Sequence, residues 1–162
     1  MNRLCVIGDP VGHSLSPAMH NAALEHLGLS NDFSYEKLKV PSNELAKFME
    51  RLRTGEFAGA SVTMPHKTAI IPYLDELSEE AELIQAVNTV VRKDGKLIGH
   101  NTDGAGCVLA LEAAGVRVRD RAVAVIGAGG AARAIGVSLA MCHARKIFII
   151  NKIGRASCRE RV

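Results

Sequence analysis

The chain has 162 residues, 48% hydrophobic and 23% charged, and its 20 Lys plus Arg against 17 Asp plus Glu give a formal charge of +3. With 4% aromatics and no Trp, it offers few stacking platforms for single-stranded nucleic acid and no electrostatic footprint for duplex. No run approaches the roughly 18 apolar residues of a membrane span, and residues 1–8 lack the apolar core of a secretory signal, so a cytoplasmic protein touching neither nucleic acid nor membrane is expected.

In chain order, Leu4 to Ile7 reads as a short apolar strand ended by Gly8-Asp9-Pro10, and Phe33 to Val40 as a second strand closed by Pro41. The helix between them has Ser16 as N-cap, Pro17 in the first turn and Gly28 past the end. Ser42 opens a helix through Arg53, Ala58 to Met64 is a buried strand, and Ser78 to Ile84 continues a helical region begun after Pro65. Val87 to Arg92 and Lys96 to Gly99 flank Asp94-Gly95, a strong turn signal, so one antiparallel hairpin interrupts the pattern. Asp103 caps a helix to Ala114, stopped by Gly115. Ala122 to Ile126 is a strand, residues 127–130 a glycine turn, Ala131 to Cys142 a helix and Lys146 to Ile150 a strand. The alternation predicts an α/β protein: a mostly parallel open sheet, then an incomplete Rossmann-type dinucleotide-binding unit.

The four cysteines, Cys5, Cys107, Cys142 and Cys158, are too far apart for a C-x-x-C pair or metal spacing and read as reduced packing residues. His13, His20, His66 and His100 flank the polar motifs; without metal spacing they read as polar wall or surface.

The most specific single motif is Val123-Ala124-Val125-Ile126-Gly127-Ala128-Gly129-Gly130-Ala131-Ala132. Glycines between a strand and a helix let backbone approach a pyrophosphate, while the helix N-terminus presents unpaired N–H groups. Gly127, Ala128, Gly129, Gly130 and Ala131 are therefore the cofactor-binding candidates. Ala132 stands at the third glycine position, which governs helix packing. The following strand ends in Ile150-Asn151-Lys152 without the carboxylate that grips an NAD ribose, which leans towards NADP. Asn151 and Lys152 join the cofactor candidates, with a surface lysine as the plainer reading of Lys152.

Polar residues cluster at the ends of the earlier strands, where open parallel sheets place ligands. Ser14 and Ser16 follow the first, Thr63 and Lys67 the third, and Asn88 and Asp103 come later. Singly each is ordinary: Ser16 and Asp103 as helix caps, Lys67 as a solvated lysine, Asn88 as a turn residue.

In sequence they are not. Ser14-Leu15-Ser16-Pro17, Ser61-Val62-Thr63-Met64-Pro65-His66-Lys67, Ala86-Val87-Asn88-Thr89, Asn101-Thr102-Asp103-Gly104 and residues 127–131 resemble the shikimate dehydrogenase family in order and spacing. The resemblance covers residues 1 to about 151 and implies NADP-linked interconversion of 3-dehydroshikimate and shikimate, in aromatic amino-acid precursor synthesis. It implies that Ser14 and Ser16 hold the substrate carboxylate, that Thr63, Asn88 and Asp103 bond ring hydroxyls, and that Lys67 and Asp103 are the catalytic pair. The domains expected are a shikimate-binding domain over 1–103 and the start of an NADP-binding domain over 104–151. Two departures stand out: Ser61 where the family often has Asn, and Gln85 where Gly is common. A non-catalytic shikimate- or quinate-binding module and a quinate dehydrogenase are the alternatives.

Residues 152–162 have no apolar periodicity and do not continue the family pattern, so a non-native tail is expected. Lys152, Arg155, Arg159 and Arg161 against Glu160 account for the whole formal charge of +3. The chain is then expected to be a C-terminally truncated and inactive fragment, with unpaired strand edges that favour homodimers or aggregation.

Overall fold

The computed structural model describes residues 1–151, and the expectations for Lys152, Cys158 and the 152–162 tail lie outside the described residues. The chain divides into two compact units, one over Met1–Asn101 and one from Thr102 onward.

The first unit runs β1 (Asn2–Gly8), α1 (Ser16–His26), β2 (Phe33–Lys39), α2 (Leu45–Arg53), β3 (Gly59–Val62), α3 (His66–Ala69), β4 (Glu76–Leu77), α4 (Glu79–Ile84), β5 (Thr89–Lys93) and β6 (Lys96–His100), with 3-10 turns at Ser42–Glu44 and Ile71–Tyr73. Its sheet has the order β2-β1-β3-β5-β6-β4. β1 lies inside the sheet and pairs in parallel with both β2 and β3, so both of its edges are hydrogen-bonded. Alternation sorts its side chains: Cys5 and Ile7 enter the core beneath Leu45, Phe48, Met49 and Leu52 of α2, while Leu4 and Val6 pack on the other face with Val11 and Tyr35. Burial pushes the Cys5 thiol up to about 12, which suits an inert packing residue.

Two local signals hold to the residue. Gly28, at φ 71°, ends α1 by donating to Glu25 O while Leu29 donates to Leu24 O, the paired bonds of a Schellman cap. Asp94 and Gly95 both take positive φ and turn β5 into antiparallel β6. One expectation is corrected and two details are added. The helix expected from Ser42 begins as a 3-10 turn and becomes α-helical only at Leu45. β5 is antiparallel to β3, and β4, a two-residue strand, is an element that hydrophobic periodicity does not signal.

The second unit holds α5 (Asp103–Ala113), β7 (Ala122–Ile126), α6 (Gly130–Met141) and β8 (Lys146–Ile150). β7 and β8 pair in parallel, and Val118, Val125 and Leu139 form the buried centre. Gly104 is where α5 meets α6: a Cβ there would collide with Ser138 Oγ and Ala134 O. Among the described residues no helix is long and apolar enough to cross a membrane.

Candidate active site

In the first unit, the strand directions explain how residues far apart in sequence meet. β1 and β3 run in parallel and end at Gly8 and Val62, so the loops carrying Ser14, Ser16, Thr63 and Lys67 leave from one edge of the sheet. Because β5 is antiparallel to β3, with Ser61 opposite Thr89, its start lies at that same edge. Asn88 is fixed there by two backbone bonds: its carbonyl accepts from Val62 N at 2.7 Å, and its N–H donates to His100 O at 3.0 Å. Asn101 Nδ2 donates to Ala86 O at 2.9 Å and secures the neighbouring turn.

Glycine is required at the exit of β1. A Cβ on Gly8 would stand 2.5 Å from Thr63 Cγ2 and 2.9 Å from Met64 O, so only glycine lets the segment leaving β3 lie this close. Thr63 N donates to Ile7 O and Asp9 N to Met64 O across that contact. Ser14, Ser16, Thr63, Lys67 and Asn88 are all partly buried. For Lys67 this corrects the plain reading of a fully solvated lysine.

The serines exchange the expected roles. Ser16 is the first residue of α1 rather than its cap, and Leu15 occupies the cap position without a side-chain bond. Ser14 supplies the bond instead, accepting from Ser16 N at 3.3 Å and donating to Ser16 Oγ at 3.1 Å. Both hydroxyls therefore stand at the amino end of an 11-residue helix, where partial positive charge favours an anion.

Three site neighbours escaped the sequence reading. Thr89 Oγ1 donates to Asn88 Oδ1 at 2.9 Å. Tyr35 donates to Ser61 Oγ at 2.7 Å and stacks on His20 with ring centres 4.2 Å apart. These residues border a cavity of about 300 Å³ with Leu4, Thr89 and Val91. Burial, opposed by the bond to Ser61, raises the Tyr35 hydroxyl and keeps it a donor. Finally, His66 is completely buried, which corrects its reading as polar wall or surface. The signal that could have flagged it was its place between a strand end and the apolar pair Ile70 and Ile71.

Gln85 has a plain account. It ends α4 in the left-handed region, φ 56° and ψ 38°, a conformation that glycine adopts at no steric cost. Its side chain donates to Glu82 O at 2.6 Å.

In the second unit Asp103 is the partly buried first residue of α5, and Thr102 holds the cap position with no side-chain capping bond to the helix, so Asp103 is not the expected cap. Residues 127–129 join β7 to α6, with Gly127 at φ 115° and Gly129 at the cap position of α6, whose first residue is Gly130. A Cβ on Gly129 would meet no atom of the described residues within 4 Å, and its φ of −78° is open to any residue. Neither packing nor backbone demands glycine there, whereas a pyrophosphate lying on the backbone would. The turn thus fits a dinucleotide. Ala132 packs into the unit's core, as a small residue at the third glycine position should. Ala128, Ala131 and Asn151 are exposed, Asn151 directly after β8.

A family model described as the shikimate dehydrogenase substrate binding domain matches residues 6–90. The chain belongs to the shikimate dehydrogenase family. A shikimate dehydrogenase (NADP(+)) of Alkaliphilus oremlandii is 46% identical over 147 residues, 91% of this chain and 51% of that protein. Among solved structures, a shikimate 5-dehydrogenase from Thermus thermophilus in complex with shikimate superposes with a TM-score of 0.88 at 41% identity, over 98% of this chain and 60% of that one. A shikimate dehydrogenase in complex with NADP+ gives 0.89 at 41% identity, over 97% and 53%. The chain spans about half the length of the curated relatives it matches.

Proposed function

We propose that the shikimate dehydrogenase reaction, NADP-dependent reduction of 3-dehydroshikimate to shikimate, is the chemistry this chain's residues serve, and that the 162-residue chain binds shikimate with little or no turnover. The observation that carries the reading is the gathering of Ser14, Ser16, Thr63, Lys67 and Asn88 at one sheet edge, each partly buried. A ring bearing a carboxylate and several hydroxyls needs an anion site beside a row of hydrogen-bond groups. Ser14 and Ser16, at the amino end of α1, take the carboxylate. Thr63, Asn88 and Asp103 take ring hydroxyls, with Thr89 bonded to the Asn88 amide oxygen.

Reducing a ketone puts a hydride on carbon and a proton on oxygen as negative charge develops there. Lys67 is assigned the proton donor, its ammonium also supplying a field that favours the oxyanion. Asp103 is assigned the carboxylate that favours the charged amine. Gly127, Ala128, Gly129, Gly130 and Ala131 would hold the pyrophosphate, with Asn151 and Lys152 towards the adenosine ribose. A bound NADPH supplies the hydride.

The test pairs calorimetric titration of shikimate with an assay of shikimate-dependent NADP+ reduction. Binding is expected, weakened about tenfold or more in Asn88→Ala, the cost of one lost hydrogen bond to a bound polar group, while the rate stays near the blank. No heat with shikimate overturns the binding assignment, and brisk turnover overturns the claim of an inactive chain. Tighter binding of quinate, which has one more ring hydroxyl, would move the substrate to that compound.

A further inference from the structure

The segment that carries Lys67 is too short to hold itself in place. α3 has four residues, fewer than a helix needs to repay its own nucleation, so its orientation is imposed from outside. Backbone bonds supply part of that: His66 N donates to Thr63 O at 2.9 Å, and Val87 N donates to Lys67 O at 2.7 Å. Ile70, fully buried in the core, closes the far end.

The side-chain anchor is His66. It is 0% exposed, and its Nε2 lies 2.6 Å from Val40 O. A carbonyl oxygen only accepts, so Nε2 carries a hydrogen, while Nδ1 has no partner among the described residues. Val40 in turn donates to Gly8 O at 3.1 Å. The imidazole thus ties the first turn of α3 to the end of β2 and through it to the end of β1, the two places between which Thr63 and Lys67 must stand. A ring that only filled space would need no donor here.

We propose that His66 is a positioning residue for Lys67, acting through its Nε2–H bond to the Val40 carbonyl. The inference rests on the role given to Lys67 above. Two chains separate the bond from the bulk: His66→Leu fills similar space without a donor, and His66→Gln returns an amide N–H near the place of Nε2. Two readouts are taken, hydrogen exchange of the Val87 amide, which reports Lys67 O directly, and calorimetric affinity for shikimate. In His66→Leu the Val87 amide exchanges about tenfold faster and shikimate binds about tenfold more weakly, the equivalent of one hydrogen bond, while His66→Gln recovers both. If the leucine chain does not fold, His66→Asn, whose amide stops short of Val40, takes its place. A donor-less chain with parental exchange and affinity overturns the proposal, as does a glutamine chain no better than leucine. A parent that does not bind shikimate defeats the functional reading alone, and the Val87 amide then decides the inference.

Discussion

The two units differ in how completely each satisfies itself. In the first, six strands share one sheet, and Phe57, Leu52, Met49 and Ile70 are shut from solvent. In the second, the described strands are two, and Ile126, Phe148, Ile149 and Ile150 are 47–85% exposed. Burial of apolar area is the main force that holds a unit together, so the first unit should carry its polar residues on a stiff frame and the second should not. A substrate site needs that stiffness, because hydroxyl recognition depends on donors and acceptors held in place.

The comparison is broken most sharply at Phe57, which lies between Phe48 and the guanidinium groups of Arg3 and Arg51. Phe57→Ala is expected to cost about 3–5 kcal/mol in the first unit, read from the urea midpoint, because a fully buried ring leaves a cavity that close-packed neighbours fill poorly. Gly104→Ala tests the second unit. Its added methyl collides with Ser138 and Ala134, so a loss of about 1–3 kcal/mol is expected there, with the first unit's amide protection unchanged. Loss of protection across both units would contradict the division.

A smaller effect sharpens the picture. Gln85→Gly relieves a left-handed residue and should raise stability by about 0.5–1 kcal/mol, less whatever the bond from Gln85 to Glu82 contributes. The smallest effect is electrostatic. Arg51, and then Arg3, hold the Glu56 carboxyl down to about 2. Because the folded-state value is depressed, the stabilisation is whole above the ordinary carboxylate range and is lost as pH falls through about 2. The parent's urea midpoint should therefore exceed that of Glu56→Gln near pH 7, and the gap should close towards pH 2.

How much of this was legible in the sequence depends on whether a residue's role is local. Gly28 and Asp94-Gly95 act through their own backbone, and they were read correctly. The glycine turn after β7 was legible because strand, glycines and helix are contiguous. Ser16 and Asp103 were misread as caps because several residues near a helix start can serve, and only the folded backbone selects among them. The burial of His66 had only a weak local signal in the neighbouring Ile70 and Ile71, and its bond to Val40 had none, since Val40 is 26 residues away and is brought near by strand pairing. A different pairing, β5 antiparallel to β3, takes Asn88 to the site edge.

The central claim is that the first unit presents a shikimate site at one edge of its sheet. Amide NMR of the isotope-labelled chain during a shikimate titration tests it most directly. The account predicts saturable shifts at Ser14, Ser16, Thr63, Lys67 and Asn88, with Arg3, Glu56 and Phe57 at the opposite ends of the strands unmoved. Shifts absent from those five residues, or strongest around Phe57, would contradict it.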